Sequence, residues 1–216
     1  MVVRILFVCH GNICRSPMAE FVMKDMVRQR GLEDAFEIAS CATSSEELGN
    51  DIHKGTKKVL DMHGVIYDRR CARRMTCDDY RHYDYIVAMD RQNIRNMGCF
   101  VGDDPDRKVS LLMEHAGSAR EVSDPWYTGD FTETYRDVCL GCRSLLDEIL
   151  GENARLFRVP EVNTACDRRI HIPCNYIGRE RPDVQIHINA ADGTVFRVGP
   201  HVSWRRVCPW RSRFPG

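Results

Sequence analysis

Residues 3–9, VRILFVC, form an almost unbroken apolar run with one charge, Arg4. A run without polar alternation fits a strand covered on both faces, the condition of strands in parallel sheets. Parallel neighbours cannot be joined by a tight hairpin. Each pair needs a crossover, usually a helix. The chain supplies one at once: a helix is predicted from about Ser16 to Arg30, capped by Ser16, with Pro17 in its first turn and a stripe of Met18, Val22, Met26 and Val27.

The alternation continues. FEIASCA (36–42) reads as a second strand, and GTKKVLDMHG as a helix stopped by Gly64. YDYIVAMD (83–90) and KVSLLME (108–114) read as a third and a fourth strand. The segment from Asp130 to Leu150 reads as a long helix. Asp130 and Glu133 are spaced as in a capping box, and Phe131, Tyr135, Val138, Cys142, Leu145 and Ile149 share one face. The expected fold class is therefore α/β, a four-stranded parallel sheet with helices on both faces.

Beyond Glu152 that pattern ends. Residues 1–151 carry 20 Lys and Arg against 25 Asp and Glu, whereas residues 152–216 carry 11 against 6. All five lysines lie in the first part and six of the nine prolines in the second. This shift predicts a domain over 1–151 followed by a basic extension, 152–216. There RIHIP, VQIHIN and TVFRVG alternate weakly, ADG suits a hairpin turn, and the end, HVSWRRVCPWRSRFPG, reads as a poorly ordered tail.

Charges balance over the whole chain, 31 basic against 31 acidic, so nothing global directs it to nucleic acid. No apolar run approaches a membrane span, and the first strand is too short for a secretory leader. Eleven cysteines at irregular spacing suit a reducing, cytoplasmic setting. Cys41, Cys71, Cys77, Cys99, Cys139 and Cys142 are expected to be small core residues.

Between the first strand and its helix lies CHGNICRSP. Such a junction gathers backbone N–H groups, and the helix dipole adds positive charge. Gly11 is suited to a positive φ and Asn12 to a left-handed turn. Arg15 offers a planar fork that matches two phosphoryl oxygens. Residues His10, Gly11, Asn12, Ile13, Cys14, Arg15 and Ser16 thus make an oxyanion cradle, with Cys9 at its base. A thiol there should ionise below its usual pH of about 8.5 and, as the thiolate, act as a nucleophile. Zinc binding is disfavoured, because C-x4-C lacks a second pair at ligand spacing. The glycines match neither a dinucleotide fingerprint nor a Walker loop.

Displacing an alkoxide or phenoxide calls for a proton donor. Asp124, in SDPWYTGDF, is held extended by Pro125, and Trp126 and Tyr127 are placed to flank a flat substrate.

Together, CHGNICRS and DPWYTGDF resemble the C-x4-C-R-S motif and acid loop of the low-molecular-weight protein tyrosine phosphatases, over roughly residues 1–150. SCATSSEELGN (40–50) and residues 72–90 are also similar to family segments. The resemblance implies a metal-free, cofactor-free, two-step hydrolysis of phosphotyrosine-containing proteins by a monomer. In it Cys9 is the nucleophile, Arg15 the phosphate clamp, and Asp124 the acid and then the base. It further implies that Asn12, Ser16 and Ser40 support the loop, that Ile13, Glu46, Trp126 and Tyr127 wall the substrate, and that Cys14 can bond to oxidised Cys9. Two positions depart: Glu46 stands where some members carry an aromatic, and Arg70 where many carry a histidine tied to the hydrogen bonds of Ser40.

Three other functions fit parts of this pattern. Protein arginine phosphatases of the same fold carry threonine where Ile13 stands, and Ile13 favours a phenyl ring. A thiol-coupled arsenate reductase would need a relay such as Cys71 and Cys77, but those relatives lack the DPWYTG loop and Cys14. A silent phosphate-binding module has no need of Cys9, Arg15 and Asp124 together.

Overall fold

The structure, a computed structural model, describes residues 2–152 and two short strands in the extension. The chain divides into two compact units, Met1–Arg158 and Val159–Gly216. The first contains β1 (Val3–Cys9), α1 (Arg15–Gln29), β2 (Phe36–Ala42), α2 (Lys54–Met62), α3 (Cys77–His82), β3 (Tyr85–Ala88), α4 (Arg91–Val101), β4 (Val109–Leu111), α5 (Pro125–Thr128) and α6 (Phe131–Glu152). A turn of 3₁₀ helix, Glu33–Ala35, leads into β2.

The four strands form one parallel sheet in the order β2-β1-β3-β4. The interior position of β1 accounts for its apolar run. Val3, Ile5, Phe7 and Cys9 enter the core shared with α1 and α6. Leu6 and Val8 point the other way, into a core with Met75, Tyr80, Tyr83 and Met97. Fully burying each of the larger side chains contributes about 1.5–3 kcal/mol. The chain leaves β1 for β2 on one side and later returns to β3 on the other. The carboxyl end of β1 therefore lies at a switch point, where open parallel sheets form a crevice.

The helices differ from expectation in ways that local physics explains. α1 begins at Arg15, and Cys14 precedes it without a side-chain cap, so Ser16 does not cap the helix. Its hydroxyl turns inward instead. At α6 half of the expected capping box is present: Asp130 accepts from the N–H groups of Thr132 and Glu133, while Glu133 bonds Ser123. The third and fourth strands are shorter than predicted, Tyr85–Ala88 and Val109–Leu111.

Three helices had no clear signal. α3 has six residues and rests on a capping box between Thr76 and Asp79. α4 buries only Asn93, Met97 and Val101 on a polar background. α5 is a single turn set by Asp124 and Pro125.

The cysteine expectation holds for Cys41 and Cys142, which are buried, and half holds for Cys139. It fails for Cys71, Cys77 and Cys99, which are exposed. Cys71 lies in a loop, Cys77 opens α3, and Cys99 lies on the outer side of α4. In the extension, β5 (Gln185–Ile188) and β6 (Val195–Val198) pair antiparallel, Gln185 opposite Val198. The ADG turn, RIHIP and the basic aromatic end lie outside the described residues.

α6 runs past Gly151 to Glu152. We propose that the extension is a separate element and that residues 1–158 fold alone. A chain ending at Arg158 should unfold in one cooperative transition, at the temperature at which the same residues unfold in the full chain. Thermal melts by circular dichroism check this. Insolubility or a much lower Tm would make the extension part of the domain.

Candidate active site

The loop after β1 is shaped by Asn12. Its φ is 58°, a left-handed conformation that few side chains tolerate. Gly11, expected to supply the positive φ, does not adopt one. Its role is spatial: a Cβ there would stand 3.0 Å from Cγ of Glu47. The asparagine turns the backbone so that its own N–H points at Cys9 Sγ, 3.3 Å away. Ser16 Oγ stands 3.0 Å from the same sulfur.

Buried hydrogen bonds hold that turn. The Asn12 amide donates to Ser16 Oγ at 2.9 Å and to Ser40 Oγ at 2.8 Å. Ser40 in turn donates to Glu20 Oε2 at 2.6 Å. On the other side Arg70 donates to Asn12 Oδ1 at 2.5 Å and to the carbonyls of Asn12 and Ser40, both at 3.3 Å. The N–H of Arg73 adds a further bond to Asn12 Oδ1 at 3.3 Å. The Glu20 carboxylate is buried and also accepts from Lys24 at 2.6 Å. Arg70 thus belongs to the loop's support, with Glu20 as the acidic terminus. Glu20 was not singled out from the sequence, although its place four residues after Ser16 puts both on one face of α1.

Arg15 is almost fully buried and is gripped from two sides. Nη1 meets Asp90 at 2.6 Å and Nη2 meets Asp124 at 2.5 Å. Burial opposes its charge, but the negative groups of Cys9, Asp124 and Asp90 prevail and raise its pKa. Asp90 also caps α4, accepting from the N–H of Asn93 at 2.6 Å. Asp90 has no motif of its own in the sequence. Its signal is positional: an acid at the carboxyl end of β3, beside the end of β1, faces the crevice.

The loop that carries Asp124 is fastened to the start of α6. Thr134 Oγ1 donates to the carbonyl of Ser123 at 2.9 Å, and Asp137 accepts from the N–H of Ser123 at 3.1 Å. Asp124 itself accepts from the N–H of Trp126 at 3.0 Å, which leaves its other oxygen for Arg15. Phe131 packs against Ile13, Cys14 and Ala72 and stacks on His53 with centroids 5.1 Å apart. Gly55 admits that ring, since a Cβ would fall 2.4 Å from it.

The remaining candidates sort by exposure. Trp126 and Tyr127 are 65 % and 85 % exposed, open for a flat group to pack on. Glu46 is exposed and meets His10 at 3.1 Å, so a polar pair stands at this edge of the loop. Ile13 is buried among its neighbours and offers substrate little surface. Cys14 is a free, buried thiol whose pKa is pushed up to about 12, first by burial and then by the negative Cys9 and Asp124. It therefore stays protonated at neutral pH.

These contacts predict the effect of cutting the network. Arg70→Met removes the donors on Asn12 and a neighbour of the buried Glu20. It should cost about 1–3 kcal/mol, the penalty of leaving buried polar groups unpaired. Urea unfolding measures this, and Arg70→Lys should recover part of it. A Met variant as stable as the wild type would show that the network adds no net stability.

Comparisons with known proteins agree with this geometry. A family model described as low molecular weight phosphotyrosine protein phosphatase matches residues 4–155. The low molecular weight protein-tyrosine-phosphatase YfkJ of Bacillus subtilis is 36 % identical over 152 residues, 69 % of this chain and 97 % of that protein. Its crystal structure superposes with a TM-score of 0.68, covering 70 % of this chain and 97 % of that one. The low molecular weight phosphotyrosine protein phosphatase of Schizosaccharomyces pombe is 42 % identical over 130 residues, 59 % of this chain and 83 % of that protein. A drosophila arginine phosphatase structure is 29 % identical with a TM-score of 0.61, covering 67 % of this chain and 96 % of its own. With its sheet order, its loop and these matches over most of its length, the chain belongs to the low molecular weight phosphotyrosine protein phosphatase family.

Proposed function

We propose that this protein hydrolyses phosphotyrosine in proteins through a cysteinyl-phosphate intermediate. One observation carries the reading: Asp124 lies 2.5 Å from Arg15, which heads the helix that follows the Cys9 loop. Nucleophile, cation and proton donor thus converge on the carboxyl end of β1.

The chemistry follows from their positions. Arg15 and the loop amides hold the phosphoryl oxygens while Cys9 Sγ attacks phosphorus. The sulfur–phosphorus bond forms, and the bond from phosphorus to the phenolic oxygen breaks. Protonated Asp124 delivers its proton to that oxygen, so a neutral tyrosine leaves. The Asp124 carboxylate then takes a proton from water as the water attacks the cysteinyl phosphate. Inorganic phosphate departs and Cys9 is restored as the thiolate. Asn12, Ser16 and Ser40 keep the loop in shape, while Trp126, Tyr127 and Glu46 border the substrate.

The proposal includes a monomer acting in the cytoplasm, with no metal and no nucleic-acid or membrane partner. Among the described residues no helix is long and apolar enough to cross a membrane. It also includes a reversible Cys9–Cys14 bond after oxidation, supported by two free thiols on one tight loop.

Arginine dephosphorylation is the second reading, favoured by the likeness to the drosophila enzyme. Asp124→Asn tests the main one. It should lower kcat by about 10²–10⁴-fold on alkyl phosphates and less on nitrophenyl phosphate, whose leaving group needs little protonation. Equal losses would remove Asp124 from the acid role. On matched peptides, a kcat/KM higher for phosphoarginine than for phosphotyrosine would reverse the choice of substrate.

A further inference from the structure

A second concavity lies at the other end of α1. It is a cavity of about 390 Å³ between the C-terminal half of α1, the side of α6 that carries Tyr135, Cys139 and Arg143, and the chain just after α2. That is within the range of about 300–1,000 Å³ typical of small-molecule sites. Its nearest α1 residue, Val22, is seven residues along the helix from Arg15, roughly 10 Å at 1.5 Å per residue. The rest lie further still, so the cavity is separate from the Cys9 cradle.

Its lining is amphipathic. Val22, Met26 and Val65 are apolar, and the rings of His63 and Tyr135 lie stacked, 4.0 Å apart and 9° from parallel. The charged groups at its rim are Asp25, Arg30 and Arg143. Asp25 is already neutralised by Arg28 and accepts a hydrogen bond from Gln29. Arg30 is paired with Asp147 at 2.8 Å. Two carbonyls at the end of α1 are also engaged: that of Val27 accepts from Arg30 and Leu32, and that of Arg28 from Gly31. Arg143 has no ion-pair partner among the described residues. The charge left over at this rim is therefore a single cation.

We propose that this cavity is a binding site for a small planar monoanion, an aromatic carboxylate in class. Its flat body would rest on Val22, Met26 and the His63–Tyr135 stack, and its carboxylate would pair with Arg143. A cation is disfavoured because Asp25 is already engaged. A dianion is disfavoured because only one guanidinium is uncommitted.

Naphthalene-2-carboxylate is a suitable probe, titrated into the isotopically labelled full chain with inorganic phosphate present to fill the Cys9 cradle. Saturable amide shifts are expected in residues 22–30 and 135–143, with affinity in about the 0.1–1 mM range of a small weak ligand. Arg143→Glu should weaken binding at least about tenfold, and Cys139→Phe, which fills the cavity from α6, should abolish it. Neither residue belongs to the catalytic machinery. Unchanged phosphatase activity in both variants shows that they are folded, and lost activity is replaced as a folding check by their amide spectra. The proposal is overturned by shifts confined to the Cys9 loop, by no saturable shift at about 10 mM, or by equal affinity in folded wild type and variants.

Discussion

The left-handed turn at Asn12 is the constraint on which the active-site loop rests. An L-residue at φ 58° is strained unless neighbouring bonds hold it there. Here the side chain that permits the turn is also the one that secures it. Asn12 donates to Ser16 and Ser40 and accepts from Arg70, while its own N–H reaches Cys9 Sγ. The chain of donors ends on buried Glu20, whose charge is balanced by Lys24 and Arg70. A polar network that is fully satisfied in a low-dielectric interior is rigid. Rigidity suits the role proposed for the loop, to present its donors to a developing oxyanion without moving.

The sheet supplies the second constraint. β1 lies between β2 and β3, so its carboxyl end opens into the crevice of the switch point. Two different strands therefore feed one guanidinium: Arg15 follows the loop after β1, and Asp90 follows β3. The third contributor, Asp124, arrives on a loop fastened to the first turns of α6 by Thr134 and Asp137. The exposed aromatics Trp126 and Tyr127 sit on that same loop, so the proposed proton donor and the proposed substrate border are carried together.

Much of this was legible in the residues, and the remainder was hidden for physical reasons. The apolar run of β1 announced a parallel sheet and the C-x4-C-R-S loop the family, because both depend on local composition. The Asp124 loop was legible through its proline and its aromatics. Asp90, Glu20, Thr134 and Asp137 were not, because each acts through a partner distant in sequence and looks like an ordinary helix residue or cap. Ser16 misled for the opposite reason: it has the chemistry of a helix cap, yet the sulfur of Cys9 and the amide of Asn12 claim its hydroxyl. α4 escaped notice because its buried face carries an asparagine among polar neighbours. Cys71, Cys77 and Cys99 show that a cysteine's usual burial is no guide where the segment runs along the surface.

In the proposed mechanism Cys9 Sγ is the atom that receives the phosphoryl group. Rapid acid quench during turnover of a radiolabelled phosphotyrosine peptide, followed by peptide mapping, tests it directly. The label should appear in protein within the first turnover and map to Cys9 as a phosphocysteine. A label on Cys14, on His10 or on no residue, at a time when product has already formed, would contradict it.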